Sequence, residues 1–164
     1  MGKSVILSAV AAFLGMVGFV FILVAICTNN WLVESATNTG LWQRCTDASG
    51  CENFAVGESR IYRNYEMVRG FGVLAVTMVF LGLVVTLVNI AFRNAGVKIG
   101  ASVMATLYLM GAFFGLTCVG LFTSLSYSSG TIAWGYSFGL GWASFPFALV
   151  AGGIMAYMEL AMTA

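Results

Sequence analysis

The 164-residue sequence has no histidine, one proline, and only 8% charged residues. Without histidine the commonest general base and the commonest metal ligand are both missing, so most hydrolase, zinc and haem chemistries fall away. Seven bases against six acids leave a formal charge of +1. No basic surface is available for nucleic acid. Apolar residues fill the space that charge vacates, at 60% of the chain. A soluble domain carries about 25% charged residues, and a soluble chain of this length could not bury so much apolar surface.

A helix crossing a hydrocarbon core of about 30 Å needs about 20 mostly apolar residues. Four uncharged windows meet that requirement within a single four-span unit covering residues 1–164. The first runs from Ser4 to Thr28 and exceeds the apolar run of a secretory signal. The second, Gly70 to Phe92, lies between Arg69 and Arg93. After Lys98 no charge occurs until Glu159, a stretch of 60 residues that suits two spans, Ile99 to Leu125 and Trp134 to Tyr157. The small polar cluster Ser126, Tyr127, Ser128, Ser129, Gly130 and Thr131 is the expected turn between them. No acid or base lies inside a span. Proton relays, ion-coupled transport and voltage sensing need such charges. The sequence also lacks a nucleophile–base pair or a metal-ligand cluster, so neither catalysis nor a cofactor is expected.

Lysine and arginine counts do not choose an orientation: Lys3, Arg93 and Lys98 stand on one side, Arg44, Arg60, Arg63 and Arg69 on the other. Cys45 and Cys51, in the polar loop 29–69, are either a disulfide on the oxidising side or two reduced thiols in a cytoplasmic loop. The disulfide reading places this loop outside and both termini in the cytoplasm, in a plasma-membrane protein. The loop holds nine of the thirteen charges, for a net of −1. Short extended segments are expected at 31–33, 39–44 and 51–56, with a turn at 47–50. They predict a small antiparallel sheet whose hairpin register the disulfide fixes. Residues 58–69 could form a short amphipathic helix leading into the second span.

Trp31, then Gly40-Leu41-Trp42, then Cys45 and Cys51, all between the first and second spans, resemble the W…GLW…C…C signature of the claudin, epithelial membrane protein, peripheral myelin protein and lens fibre membrane protein superfamily. Arg69 stands where that family places an arginine at the mouth of span two, and 136–149 looks like its fourth span. The close cysteines and minimal second outer loop are more similar to the epithelial membrane and lens branch than to claudins. The resemblance implies an all-α left-handed four-helix transmembrane bundle with a small extracellular sheet. It also implies a non-enzymatic protein of cell junctions or adhesion that self-associates through its loop as a homo-oligomer. Alternatives are an accessory subunit gripping another membrane protein such as a channel or receptor, and a paracellular pore selecting cations through Glu34, Asp47 and Glu52.

Trp31 and Trp42 read as packing at the membrane interface rather than as recognition anchors. Arg69 is expected to bond loop carbonyls or Glu66. Gly111 with Gly115, and Gly135 with Gly139, form GxxxG pairs suited to close helix packing inside the bundle or between copies. Pro146 should kink span four, Asn89 and the scattered serines and threonines should bond between helices, and Cys27 and Cys118 should be buried thiols.

Overall fold

In hydrocarbon every backbone N–H and C=O must find a partner within the chain, which makes long uncharged runs fold as helices. The computed structural model describes residues 3–54, 60–95, 99–126 and 133–163. Four long helices, α1 (Lys3–Cys27), α2 (Arg60–Ala91), α3 (Ala101–Ser126) and α4 (Tyr136–Thr163), dominate it. Each contains a stretch long and apolar enough to cross a membrane. α1 packs against α2 and α4, and α3 against the same two, so the helices close a four-membered ring. Phe13, Phe80 and Phe113 point outward and are 46–68% exposed. An apolar exterior of this kind suits lipid.

The helix bounds differ from the sequence expectation in two informative places. The amphipathic segment expected at 58–69 is no separate helix: from Arg60 it is the opening of α2, which runs unbroken for 32 residues. At about 1.5 Å per residue it is longer than the hydrocarbon is thick, and its first turns, through Arg69, precede the uncharged run that begins at Gly70. Trp134, expected inside span four, belongs instead to a strand, and α4 continues past Tyr157 to Thr163. α4 also passes through Pro146 as one helix. Of the expected turn at 126–131, Ser126 ends α3 and the remainder lies outside the described residues.

Between α1 and α2 come four short strands, β1 (Leu32–Glu34), β2 (Thr37–Thr39), β3 (Gln43–Thr46) and β4 (Gly50–Asn53). A fifth, β5 (Ala133–Trp134), precedes α4. They form one antiparallel sheet in the order β4-β3-β2-β1-β5. The segment expected as one strand over 39–44 is divided, because Gly40-Leu41-Trp42 bends out of the ladder between β2 and β3. The turn at Asp47–Ser49 occurs as expected and ends on Gly50 with φ +77°, the left-handed conformation that favours glycine. The last residues of the strand expected over 51–56, Ala55 and Val56, lie outside the described residues.

Two apolar clusters fill the ring. One, nearer the chain termini, gathers Ala11, Val79, Met104, Tyr108, Ala151 and Met155. The other, beneath the sheet, gathers Ile22, Trp31, Leu41, Val68, Val119 and Phe122. Between them Gly18, Val79, Gly111 and Ser144 line a crevice too narrow to admit water. Among the described residues the hydroxyls seldom bridge helices as expected. Thr77, Thr86, Thr106, Thr117 and Thr123 each donate to a carbonyl four residues back in their own helix. That local acceptor is always at hand in a helix, so the hydroxyl is satisfied without a partner helix. Asn89 does act between elements, accepting from the Ile99 backbone N–H ahead of α3. At the same end Glu159 of α4 accepts from Ser102 N–H in the first turn of α3, and Arg93 donates to Ser4.

Candidate functional site

A helix leaves its last four carbonyls without intrahelical partners, and at the edge of hydrocarbon an unpaired carbonyl is costly. α1 ends at Cys27, and the loop that follows supplies the missing donors. The Trp31 indole N–H donates to Ala25 O at 2.7 Å, and the Trp42 indole N–H to Ile26 O, also at 2.7 Å. The Thr28 hydroxyl bonds Val24 O at 2.7 Å. Tryptophan suits the position because one side chain combines a large apolar ring with a single donor. The Trp31 ring is fully buried against Phe122 and Phe138, whereas Trp42 remains 40% exposed.

Trp42 reaches α1 because Gly40-Leu41-Trp42 leaves the sheet. Gly40 lies directly against Asn29: a Cβ there would come within 2.6 Å of Asn29 Cα. Only glycine permits that approach. Its N–H bonds Gln43 O at 2.9 Å and closes the bend, while Leu41 is driven completely inside. Leu41 O then accepts from Arg69 Nε at 2.6 Å. The Arg69 guanidinium lies over the Trp42 ring at 5.3 Å and near the Phe54 ring at 5.6 Å. Trp31, Gly40, Leu41, Trp42 and Arg69 therefore meet at one place, the seat of the sheet on the bundle. Arg69 bonds a loop carbonyl, the first of the two partners expected for it.

On the other flank the segment leading into α4 is fastened to α1. Gly135 N–H bonds Trp31 O at 3.0 Å, Ser137 N–H bonds Asn30 O at 3.1 Å, and the Thr28 and Ser137 hydroxyls bond at 2.6 Å. Asn30 also donates to the Tyr136 hydroxyl at 3.1 Å. Gly135 thus has a different place from the GxxxG expectation. It precedes the helix, and a Cβ on it would collide with the Asn30 carbonyl, whereas Gly139 has open space around its Cβ direction. The Gly111 pair does pack inside the bundle. A Cβ at Gly111 would lie 2.5 Å from Val79 of α2, and one at Gly115 would lie 3.8 Å from Phe145 of α4.

At the far side of the sheet Cys45 and Cys51 stand directly opposite each other in the β3–β4 register and are joined as a disulfide. All four residues of β4 are exposed, and among the described residues its outer edge pairs with no other strand. The two remaining cysteines differ from expectation in one respect: Cys118 is buried but Cys27 is exposed. Ala25 and Ile26 face the core, so the next residue, about 100° further round the helix, turns outward.

Two features escaped the sequence reading. β5 is only two residues long and offers no alternation to detect. Tyr108, fully buried, fills a slot between Gly15 of α1 and Gly82 of α2, glycines with no helical partner spacing to mark them. Among the described residues there is no group of three or more acids or cysteines able to hold a metal ion.

Residues 3–155 match the model of the PMP-22/EMP/MP20/Claudin family. No curated protein sequence matched the chain.

Proposed function

The chain belongs to the PMP-22/EMP/MP20/Claudin family, and from that premise we propose that it is a non-enzymatic plasma-membrane protein that organises membrane contacts by self-association through its sheet. Membership supports a multi-pass membrane protein of junctions or membrane contacts in general. The sheet lies outside the cell in this reading and both termini in the cytoplasm. A disulfide between Cys45 and Cys51 supports that orientation, since such bonds persist in oxidising compartments.

The observation that carries the reading is a rigidly seated sheet with an open edge. Two indole bonds, the Arg69 bond and the β5 pairing tie the sheet to α1, α2 and α4. β4, at the far edge, pairs on its outer side with no strand among the described residues, and an edge strand of this kind is a template for another chain. Charged Glu52 on that strand would set register and selectivity.

Reconstitution of the purified chain into vesicles tests it. Clustering of vesicles that depends on an intact β4, together with dimers or larger species by native mass measurement in mild detergent, is the expected result. Monomer alone, with no clustering and no enrichment at cell contacts, would overturn it. A stoichiometric channel or receptor subunit copurifying from native membranes would instead identify an accessory role.

A further inference from the structure

Arg69 is only partly satisfied by the protein. Its Nε is committed to Leu41 O, and the rings of Trp42 and Phe54 lie against the guanidinium, but Nη2 is buried and has no hydrogen-bond partner among the described residues. Ring faces attract the charge without accepting a directed hydrogen bond as an oxygen does. A buried charged donor left in this state is costly and calls for an acceptor.

The surroundings say what kind of acceptor. Phe54 N–H bonds Trp42 O at 3.0 Å, and two residues further along the same ladder Arg44 stands opposite Glu52, so Arg44 lies on β3 next to the rings that flank the Arg69 guanidinium. Among the described residues no acid bonds Arg69 Nη2. Arg69 immediately precedes the uncharged run Gly70–Phe92, at the edge of the hydrocarbon, beside the partly exposed indole of Trp42. At that depth the tails offer no acceptor, and the phosphate oxygens of lipid headgroups are the nearest concentrated source. A planar guanidinium fork matches a phosphate bidentately.

We propose that Arg69, flanked by Arg44, binds a phosphate group, and that its source is the headgroup of a phospholipid in the leaflet on the sheet side. For a phosphate to reach Nη2 the Phe54 ring, which lies against the guanidinium and on Tyr65, must shift. The site does not depend on self-association, and its test is independent of vesicle clustering.

Native mass spectrometry of the full chain in detergent reads it, with a short-chain phosphatidylcholine as probe and diacylglycerol of the same tails as the control lacking phosphate. The wild type is expected to retain one phosphatidylcholine per chain and no diacylglycerol. Arg44→Gln, at an exposed position, should lower that occupancy at least threefold, and Arg44→Lys should restore part of it. Arg69→Lys should lower it at least as much as Arg44→Gln. Where that variant fails to fold, the Arg44 pair decides. Equal retention of both lipids, retention indifferent to Arg44, or no retention by the wild type would overturn the site. Displacement of the lipid by inorganic phosphate at equal concentration would overturn the assignment to a headgroup and identify a free anion.

Discussion

The indole nitrogen of Trp42 lies 2.7 Å from the carbonyl oxygen of Ile26, sixteen residues earlier in the chain. With the matching bond from Trp31 to Ala25, it makes the end of α1 a docking point for the sheet. Trp31→Phe and Trp42→Phe keep an aromatic ring but delete the donor together with part of the ring volume, which at the buried Trp31 also opens a cavity. Each should cost about 1–3 kcal/mol, the penalty for orphaning a shielded acceptor. The buried Trp31 should be the more sensitive. Reversible unfolding in mixed micelles measures both, and unchanged stability in both variants would remove the capping role.

Gly135→Ala and Gly139→Ala, one helical turn apart, should behave in opposite ways. The first sets a methyl group against the Asn30 carbonyl and must push the α4 approach away from α1. Overpacking of this kind costs about 1–3 kcal/mol or more. The second meets open space and should change stability by no more than about 0.5 kcal/mol. Folded yield and thermal midpoint, compared side by side, give the answer.

Removing the disulfide should loosen one strand rather than the whole sheet. Cys45→Ser with Cys51→Ser opens a very short loop, for which chain entropy predicts about 2 kcal/mol. β1 and β2 keep their ties to α1 and β5. Hydrogen exchange should therefore rise in 50–53 while 32–34 and 37–39 stay protected. Uniform loss of protection across all five strands would contradict this division.

At the opposite end of the bundle, Glu159→Gln keeps an acceptor near Ser102 N–H but removes the negative charge at the start of α3. Glu159→Ala removes both. Helix-terminal charge is worth about 0.3–1 kcal/mol and a capping bond about 1 kcal/mol, so alanine should destabilise more than glutamine. Denaturant titration of the pair resolves the order.

The spans were legible because charge marks their limits so sharply: from residue 69 onward only Arg69, Arg93, Lys98 and Glu159 are charged. The tryptophans were legible as packing because an interfacial ring with one donor has few other uses. Other features were hidden for physical reasons. Ala133–Trp134 becomes a strand only because Leu32 and Val33, a hundred residues earlier, present an open edge to it. The hydroxyls chose the local carbonyl over a neighbouring helix, a competition that composition does not reveal. Gly40 was visible as part of a motif, but its close approach to Asn29 depends on where α1 stops.

That fifth strand also orders the chain's assembly. Leu32 finds Trp134 only after two further spans, α2 and α3, have been made, so the fifth strand joins the extramembrane cap last and at the greatest sequence distance. Contacts between remote segments form slowly. A ribosome releasing this protein leaves one edge of β1 vacant until α3 has been threaded and β5 emerges behind it, and a finished cap is therefore a certificate that the third crossing has been made.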